Sequence, residues 1–346
     1  MEAALYHPEH GYYERGTSQV GRAGDFITSV SVGSVFGEML AMRFADWLLQ
    51  LGHSGDAKNE KTYLIEAGAH DGQLALDILR WLKKHKNTPA MTYLIIEPSA
   101  RRRDIQRRKL SQFADIVKWV DHFTETRERF GPIRGVIFSN ELFDAIPARR
   151  VGWNAARRHW FEWGVDWRDN AFQWTELQIP IIRPSEFDLP LSDTLLDVLP
   201  DRFTTEINHA ATDWWQNAAA ALAVGWLMTI DYGLAAEDFF SPARPNGTLR
   251  AYREHRLSDN PLASPGEQDL TAHVNWTAIQ RAGESRGLVT EWFGPQGTFL
   301  TAVLEEQLRR QPALAKWSQD AARQIQTLVH PEHFGRKFQV LAQRRS

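Results

Sequence analysis

A chain of 346 residues with 40 basic and 43 acidic side chains carries a formal charge of −3. It exceeds one usual domain of roughly 100 to 200 residues, so it predicts one enlarged domain or a core with an insertion. Its charge balance lacks the positive excess that draws proteins onto nucleic acid or anionic membranes, and the absence of cysteine excludes disulfides, thiolate metal sites and cysteine nucleophiles. No apolar run reaches the ~18 residues of a membrane span, and the opening MEAALYHPEHGYY lacks the basic start and apolar stretch of a signal peptide. A soluble, cytoplasmic protein is expected, with a mitochondrial location if a targeting segment was removed.

The stretch ALYHPEHGYYERGTSQVGRAGDFITSV is rich in glycine and aromatic residues and reads as an ordered loop region. From Val35 to Leu51 apolar positions recur at helical spacing, with Thr28, Ser29, Ser31 or Ser34 as caps. The polar link HSGDAKNEK leads to a strand, TYLIEAG, and a helix from about Gln73 to His85. A second buried strand, MTYLIIEPS, precedes the polar helix ARRRDIQRRKLSQF, and DIVKWV and IRGVIFSN supply two more strands, the last running into ELFDAIPARR. Apolar strands without alternation, separated by helices, predict a parallel sheet covered on both faces. The fold class is therefore α/β, a doubly wound, mostly parallel, Rossmann-like sheet.

Regularity then breaks. RRVGW, RRHWFEWGVDW and AFQWTELQI read as short antiparallel strands, followed by a helix from about Thr205 to Val224 and a buried strand, GWLMTIDYG. Loop-rich sequence follows, then a helix, the strand LVTEWF, another helical region and a final strand KFQVLAQ. The expected division is 61–150 for the first part of the core, 151–224 for an accessory α+β insertion, and 225–346 for the second part of the core, with a loop-rich insertion at about 235–275. Trp153, Trp160, Trp163, Trp167 and Trp174 crowd the accessory region, where packing of a small sheet is favoured over a partner surface. The basic run from Arg101 to Lys109 reads as a solvated helix face rather than a nucleic-acid stripe. The histidines lack metal-ligand spacing, so no metal is assigned.

The first strand-to-helix turn, LIEAGAHDG, holds the chemistry. Gly68 and Gly72 permit backbone angles denied to other residues and let a ligand approach the main chain, and the following helix offers free N–H groups. Glu97, at the end of the second strand, is placed to accept hydrogen bonds from both ribose hydroxyls of an adenosine ligand. A nicotinamide dinucleotide and S-adenosylmethionine both present that ribose. The loop lacks the G-x-G-x-x-G spacing that seats a pyrophosphate, and Glu66 one step before it suits a cationic amino-acid tail, so the details lean towards S-adenosylmethionine. Asn140, Glu141 and Asp144 gather at the end of the fourth strand, where two carboxylates can hold a cationic or amine acceptor beside a methyl donor.

Taken together, LYHPEHGYY, GDFITS, LIEAGAHDGQLALDIL, IIEPS, SNELFDAIPARR, IDYG, GEQDLTAHVNW and FGRKFQVL resemble, in order and over almost the whole chain, the MidA-like family of S-adenosylmethionine-dependent methyltransferases. The resemblance implies a class I methyltransferase sheet with an accessory region, and residues 1–60 as an N-terminal cap over the cofactor pocket. The family's mitochondrial members act as protein arginine methyltransferases in respiratory complex I assembly. Carried over, Gly68 and Gly72 fall on the cofactor loop, Glu97 on the ribose-binding acid, and Asn140 with Glu141 on the loop beside the donor. Gly24, Asp25 and Phe26 match a GDF element at the pocket, Asp231 and Tyr232 a DYG strand end, and Asp269, Thr271 and His273 a DLTAH segment on the acceptor side. His70 stands where the family has the middle glycine of its loop, a departure that bears on cofactor affinity. The leading expectation is a methyltransferase acting on a protein side chain, arginine among the candidates, with Glu141, Asp144 and Asn140 at the reaction. The alternatives are an assembly or binding protein with weak or no catalysis because of His70, and a small-molecule methyltransferase.

Overall fold

The computed structural model describes residues 1–15, 28–52, 61–85, 90–177, 187, 191–254, 256–258, 260–310 and 317–346. The chain divides into two compact units. One comprises Met1–Phe26, Phe143–Trp214 and Gly233–Ala282; the other comprises Ile27–Leu142, Trp215–Tyr232 and Gly283–Ser346. Of the segments read separately as N-terminal, accessory and loop-rich, residues 1–26, 151–214 and 235–275 fall in one unit, while 27–60 and 215–224 fall in the other.

The second unit holds a seven-stranded sheet of β1 (Tyr63–Ala67), β2 (Thr92–Ile96), β3 (Val117–Val120), β4 (Ile133–Asn140), β5 (Leu222–Asp231), β6 (Val289–Pro295) and β7 (Gln339–Arg345). The order is β6-β7-β5-β4-β1-β2-β3. Pairings from β5 through β4, β1 and β2 to β3 are parallel, and β7 runs antiparallel to both β5 and β6. Because the central strands are covered on both sides, they read as unbroken apolar runs such as YLII and VIF.

Helices α1 (Val35–Gly52), α2 (Gln73–Lys84), α3 (Ala100–Lys109), α4 (Phe123–Phe130), α5 (Gln296–Arg310) and α6 (Gln319–Val329) belong to the same unit. Phe36, Phe44 and Leu48 of α1, Ile78 of α2 and Phe299 of α5 pack on Val136, Phe138, Trp226 and Met228 of the sheet. Each such side chain stabilises the fold by about 1.5–3 kcal/mol when fully buried. Trp47 stacks on Trp226 with ring centroids 5.1 Å apart. On the opposite face Phe130 of α4 meets Tyr63 edge-on at 5.8 Å, and Trp215 donates to Gln343 Oε1 at 2.8 Å. The doubly wound α/β expectation holds.

The first unit contains a four-stranded antiparallel sheet ordered Ala171–Glu176, His159–Arg168, Arg149–Asn154, Thr204–Ile207. Trp153 and Trp160 are buried with Phe203 and Ile207 in its core, whereas Trp167 is exposed at the hairpin tip, edge-on to Phe172. The helix expected over Thr205–Val224 is shorter, His209–Ala221. Its first residues instead form the β-branched strand Thr204–Ile207, paired with Arg149–Gly152, and Asn208 caps the helix through Ala211 N at 3.0 Å. At the other end the helix passes directly into β5 at Leu222. A smaller antiparallel sheet joins Arg250–Arg253 to Arg256–Ser258 and Asp269–Thr271.

Two adjacent positions in one row across the central strands, Gly135 and Gly225, carry no side chain. Gly135 of β4 sits in register between Tyr63 and Gly225, and a Cβ on it would lie 1.9 Å from the Tyr63 carbonyl oxygen. Its φ of 156° adds strain for any other residue. Gly135→Ala should therefore destabilise by at least about 3 kcal/mol, since the Tyr63 atoms it would meet are backbone that cannot yield. Urea unfolding checks this, and a change below about 1 kcal/mol would mean the strands separate easily at this row.

Candidate active site

Parallel pairing sets the ends of four strands side by side: Ala67 faces Ile96 and Ser139, and Asn140 faces Ile230. In open α/β sheets ligands bind at this carboxyl edge. The side chains and loops that leave it are the candidates.

After β1, the loop to α2 turns through three left-handed residues, Gly68 (φ 72°), His70 (φ 45°) and Gly72 (φ 83°). At Gly68 a Cβ would come within 2.9 Å of Leu142 Cδ1. His70 holds its conformation without a glycine's freedom, at a cost of about 1 kcal/mol or more. Gln106 Nε2 donates to its carbonyl oxygen at 2.9 Å. Asp71 Oδ1 accepts from Gln73 N at 3.0 Å at the start of α2, and Lys109 Nζ binds Asp71 Oδ2 at 2.5 Å and Gln73 Oε1 at 3.2 Å. Burial opposes ionisation of Asp71, but His70 and Lys109 outweigh it and hold the carboxyl below the usual range.

Two acids stand at the strand ends in different surroundings. Glu66 of β1 is buried, and Tyr93 Oη of β2 donates to its Oε2 at 2.6 Å. Burial pushes this carboxyl up to about 8 against the opposing hydrogen bond, with the Asp71 charge adding to the rise. Glu97, just beyond β2, is equally buried but accepts Ser99 N on Oε1 at 3.0 Å and Gln106 Nε2 on Oε2 at 3.2 Å.

After β4, Glu141 is also left-handed, with φ 51°. Its N–H donates to Ile230 O of β5 at 2.8 Å, and its Oε1 accepts from Ser29 N at 3.3 Å and Asn140 Nδ2 at 3.1 Å. Ser29 is fixed in turn: Thr28 closes a capping box with Ser31 at the head of the short helix Ser29–Val32, and Ser29 Oγ bonds Gln296 Oε1 at 3.1 Å. Asn140 Oδ1 is buried and meets no donor among the described residues. Asp231, at the end of β5, is buried and accepts from Tyr232 N at 2.8 Å, while the Tyr232 ring packs on Phe338.

Other expected residues lie in the first unit. Asp144 is buried in the turn Phe143–Ala145, and its carbonyl accepts from Ala272 N at 2.9 Å. Asp269 accepts from Tyr13 Oη at 3.0 Å, and burial together with the charges of Asp269, Tyr6 and Asp144 pushes that phenol well up. Thr271 pairs with Arg250 along the small sheet. His273 donates its N–H to Thr248 Oγ1 at 3.1 Å; burial, then Arg244 and Arg250, push its imidazole down to about 4 and leave it neutral at pH 7. Gly24, Asp25 and Phe26 lie outside the described residues.

The structure thus sets Glu66, Gly68, His70, Gly72, Glu97, Asn140, Glu141 and Asp231 along one carboxyl edge. Sequence reasoning missed Tyr93, Gln106 and Lys109. The helix read as a solvated basic face is mostly that, but Arg103 donates to Glu97 O at 2.9 Å, Lys109 reaches the glycine loop, and Gln106 is fully buried. The available signal was one amide among the charges of ARRRDIQRRK.

Residues 39–294 match the model of a family of S-adenosyl-L-methionine-dependent methyltransferases. The chain belongs to this family. It is 30% identical to a Burkholderia thailandensis protein whose crystal structure holds S-adenosyl-homocysteine, with a TM-score of 0.82 over 99% of this chain and 86% of that one. A protein arginine methyltransferase NDUFAF7 homolog of Drosophila melanogaster, mitochondrial, is 26% identical over 99% of this chain and 79% of its own length. Its Homo sapiens counterpart is 25% identical over 99% and 78%. The protein is accordingly a methyltransferase that uses S-adenosyl-L-methionine, and neither the non-catalytic nor the small-molecule alternative is favoured. The edge fits this cofactor: buried acids stand at the strand ends where its hydroxyl and ammonium groups would need acceptors, and Asn140 Oδ1 is a buried acceptor with no donor among the described residues. Among the described residues no helix is long and apolar enough to cross a membrane.

Glu66 makes stability depend on pH. Its carboxyl is raised in the folded state, so the folded protein binds that proton more tightly; the resulting stabilisation is complete below the ordinary value of 4.5 and is lost as pH rises towards about 8. Glu66→Gln, which keeps an acceptor for Tyr93, should match the parent at pH 4.5 and exceed it at pH 8 by on the order of a few kcal/mol. Parallel urea titrations across that range measure the gap, and a gap independent of pH would show that Glu66 is ionised when buried.

Proposed function

We propose that this methyltransferase modifies a protein side chain and that the guanidinium of arginine is the acceptor. The observation that carries the reading is Glu141. A non-glycine residue held left-handed at a strand end, its carboxylate fixed by Ser29 N and Asn140 Nδ2, is strain maintained at the place where ligands bind. A planar cation such as guanidinium is the natural match for a carboxylate held in one orientation. The curated relatives, named protein arginine methyltransferases, support the same acceptor.

In this reading Glu97 takes the ribose hydroxyls, Glu66 and Asn140 Oδ1 take the ammonium end of the cofactor, and the backbone at Gly68 to Gly72 lies along it. S-adenosyl-L-methionine supplies a methyl group on a sulfonium, which is already a good leaving group. What the chain adds is alignment and electrostatics. Glu141 orients the guanidinium so that one nitrogen lone pair points at the methyl carbon, and it stabilises the positive charge that remains on the acceptor until a proton leaves. In the first unit, Asp144 and Asp269 beside Tyr13 form a second acidic pair, which we assign to recognition of basic groups on the acceptor protein, with His273 neutral nearby in sequence. A mitochondrial site of action fits the relatives' names, and a role in respiratory complex I assembly fits the family resemblance.

Glu141→Gln keeps the size and hydrogen-bonding capacity of the side chain but removes its charge. It should lower kcat by about 100-fold or more while leaving the Kd for S-adenosyl-homocysteine within about threefold. The assay is transfer of isotopically labelled methyl from the cofactor to proteins of a cell extract, followed by mass spectrometry of the labelled peptides. Label on arginine that disappears with the variant is the expected result. Label confined to lysine, or to small molecules, would overturn the acceptor assignment.

A further inference from the structure

We propose that Gln106 and Lys109 are positioning residues that lock the cofactor loop in its left-handed turn at His70, taking over the part a glycine would otherwise play. The inference rests on the reading that the Gly68–Gly72 loop and Glu97 bind the cofactor, and it goes beyond it by asking what holds them there.

Gln106 makes three side-chain hydrogen bonds at once, with both amide N–H donors in use. Nε2 donates to His70 O at 2.9 Å and to Glu97 Oε2 at 3.2 Å, and Oε1 accepts from Trp119 Nε1 at 2.9 Å. One amide therefore ties the loop after β1, the acid after β2 and the strand β3. Its stem lies against the loop as well, since a Cβ on Gly72 would stand 3.5 Å from Gln106 Cγ. It is fully buried, and it is the only buried residue of α3, whose remaining side chains reach water at least in part. Lys109, one helical turn on, grips Asp71 of the loop and Gln73 at the start of α2.

The three carbonyl, carboxylate and indole partners of Gln106 point the same way. A plug that merely filled space at this position would be apolar, as every buried position of α2 except Asp77 is. An amide is required only if those partners must be held in fixed orientations. His70 is the residue whose backbone conformation needs an outside constraint, because its side chain disfavours the turn that the bond to its carbonyl maintains. Losing the clamp should free His70 to relax towards negative φ and let the Glu97 carboxylate rotate, which weakens cofactor binding without touching the transfer step.

Four variants of the full chain test this by calorimetric titration with S-adenosyl-homocysteine and by steady-state kinetics. Gln106→Leu should raise the Kd about 10-fold or more, as expected for buried partners left unpaired, with kcat at saturating cofactor within about twofold. His70→Gly alone should change the Kd by less than about threefold, because the clamp already supplies the conformation. Combined with His70→Gly, the Gln106→Leu effect should shrink by at least about threefold, since glycine needs no clamp. Independent, multiplying effects would overturn the proposal, as would a Gln106→Leu protein that loses thermal stability but keeps its Kd. Where Gln106→Leu does not fold, Lys109→Met at a partly exposed position carries the test, with an expected weakening of about 3- to 10-fold and an unchanged Kd as the contrary result. Glu97→Ala separates the two levels: an unchanged Kd in that variant removes the cofactor assignment itself, whereas a weakened Kd there with unaffected Gln106→Leu removes only the clamp.

Discussion

Parallel strand pairing is the constraint from which the site follows. When β1, β2, β4 and β5 run in one direction, every chain leaving them emerges at the same edge, and four successive loops must share that space. The same pairing buries the strands on both faces, so a carboxylate placed at a strand end is desolvated from below while it faces the ligand from above. Glu66 and Glu97 both experience this, and they differ by their partners. Glu66 has one phenol and is pushed towards its neutral form; Glu97 accepts instead from a backbone N–H and a side-chain amide. Two acids one strand apart are thereby prepared for different tasks.

Crowding at the edge also explains why strain collects there. His70 and Glu141 follow neighbouring strands, both are left-handed, and neither is glycine. Each is held from outside: His70 through Gln106, Glu141 through Ile230 and Ser29. Such residues persist only where the surroundings over-determine them. Rigid sheet below and a buried hydrogen bond from an adjacent element are what make that possible here.

The first unit solves a different problem. Its four-stranded sheet is antiparallel, with Trp153 and Trp160 buried on one side and aromatic residues such as Trp167 left exposed at the hairpin tip. Large rings let a small sheet bury enough apolar area to fold. Its half-buried Tyr13 and buried Asp269 form a bonded pair in which the phenol stays protonated. Family membership, established over residues 39–294, spans both kinds of architecture.

The sequence by itself determined the parallel core and most of the edge. Unbroken apolar runs such as YLII, separated by amphipathic helices, are a one-dimensional record of burial on two faces, and Gly68, Glu97 and Glu141 stand at their ends. Local pattern misled where a partner decided the outcome. Thr205–Ile207 lies beside an alanine-rich helix and by local pattern extends it, yet pairing with Arg149–Gly152 makes Thr204–Ile207 a strand. Tertiary structure alone decided that Gln106 turns inward from a basic helix, that Tyr93 meets Glu66, and that His70 adopts a glycine's conformation. The physical reason is sequence separation. Helix and strand periodicity come from neighbours within a few residues, whereas the state of a buried acid and the φ of a loop residue are set by groups 27 to 36 positions away, which only the folded sheet brings within a hydrogen bond.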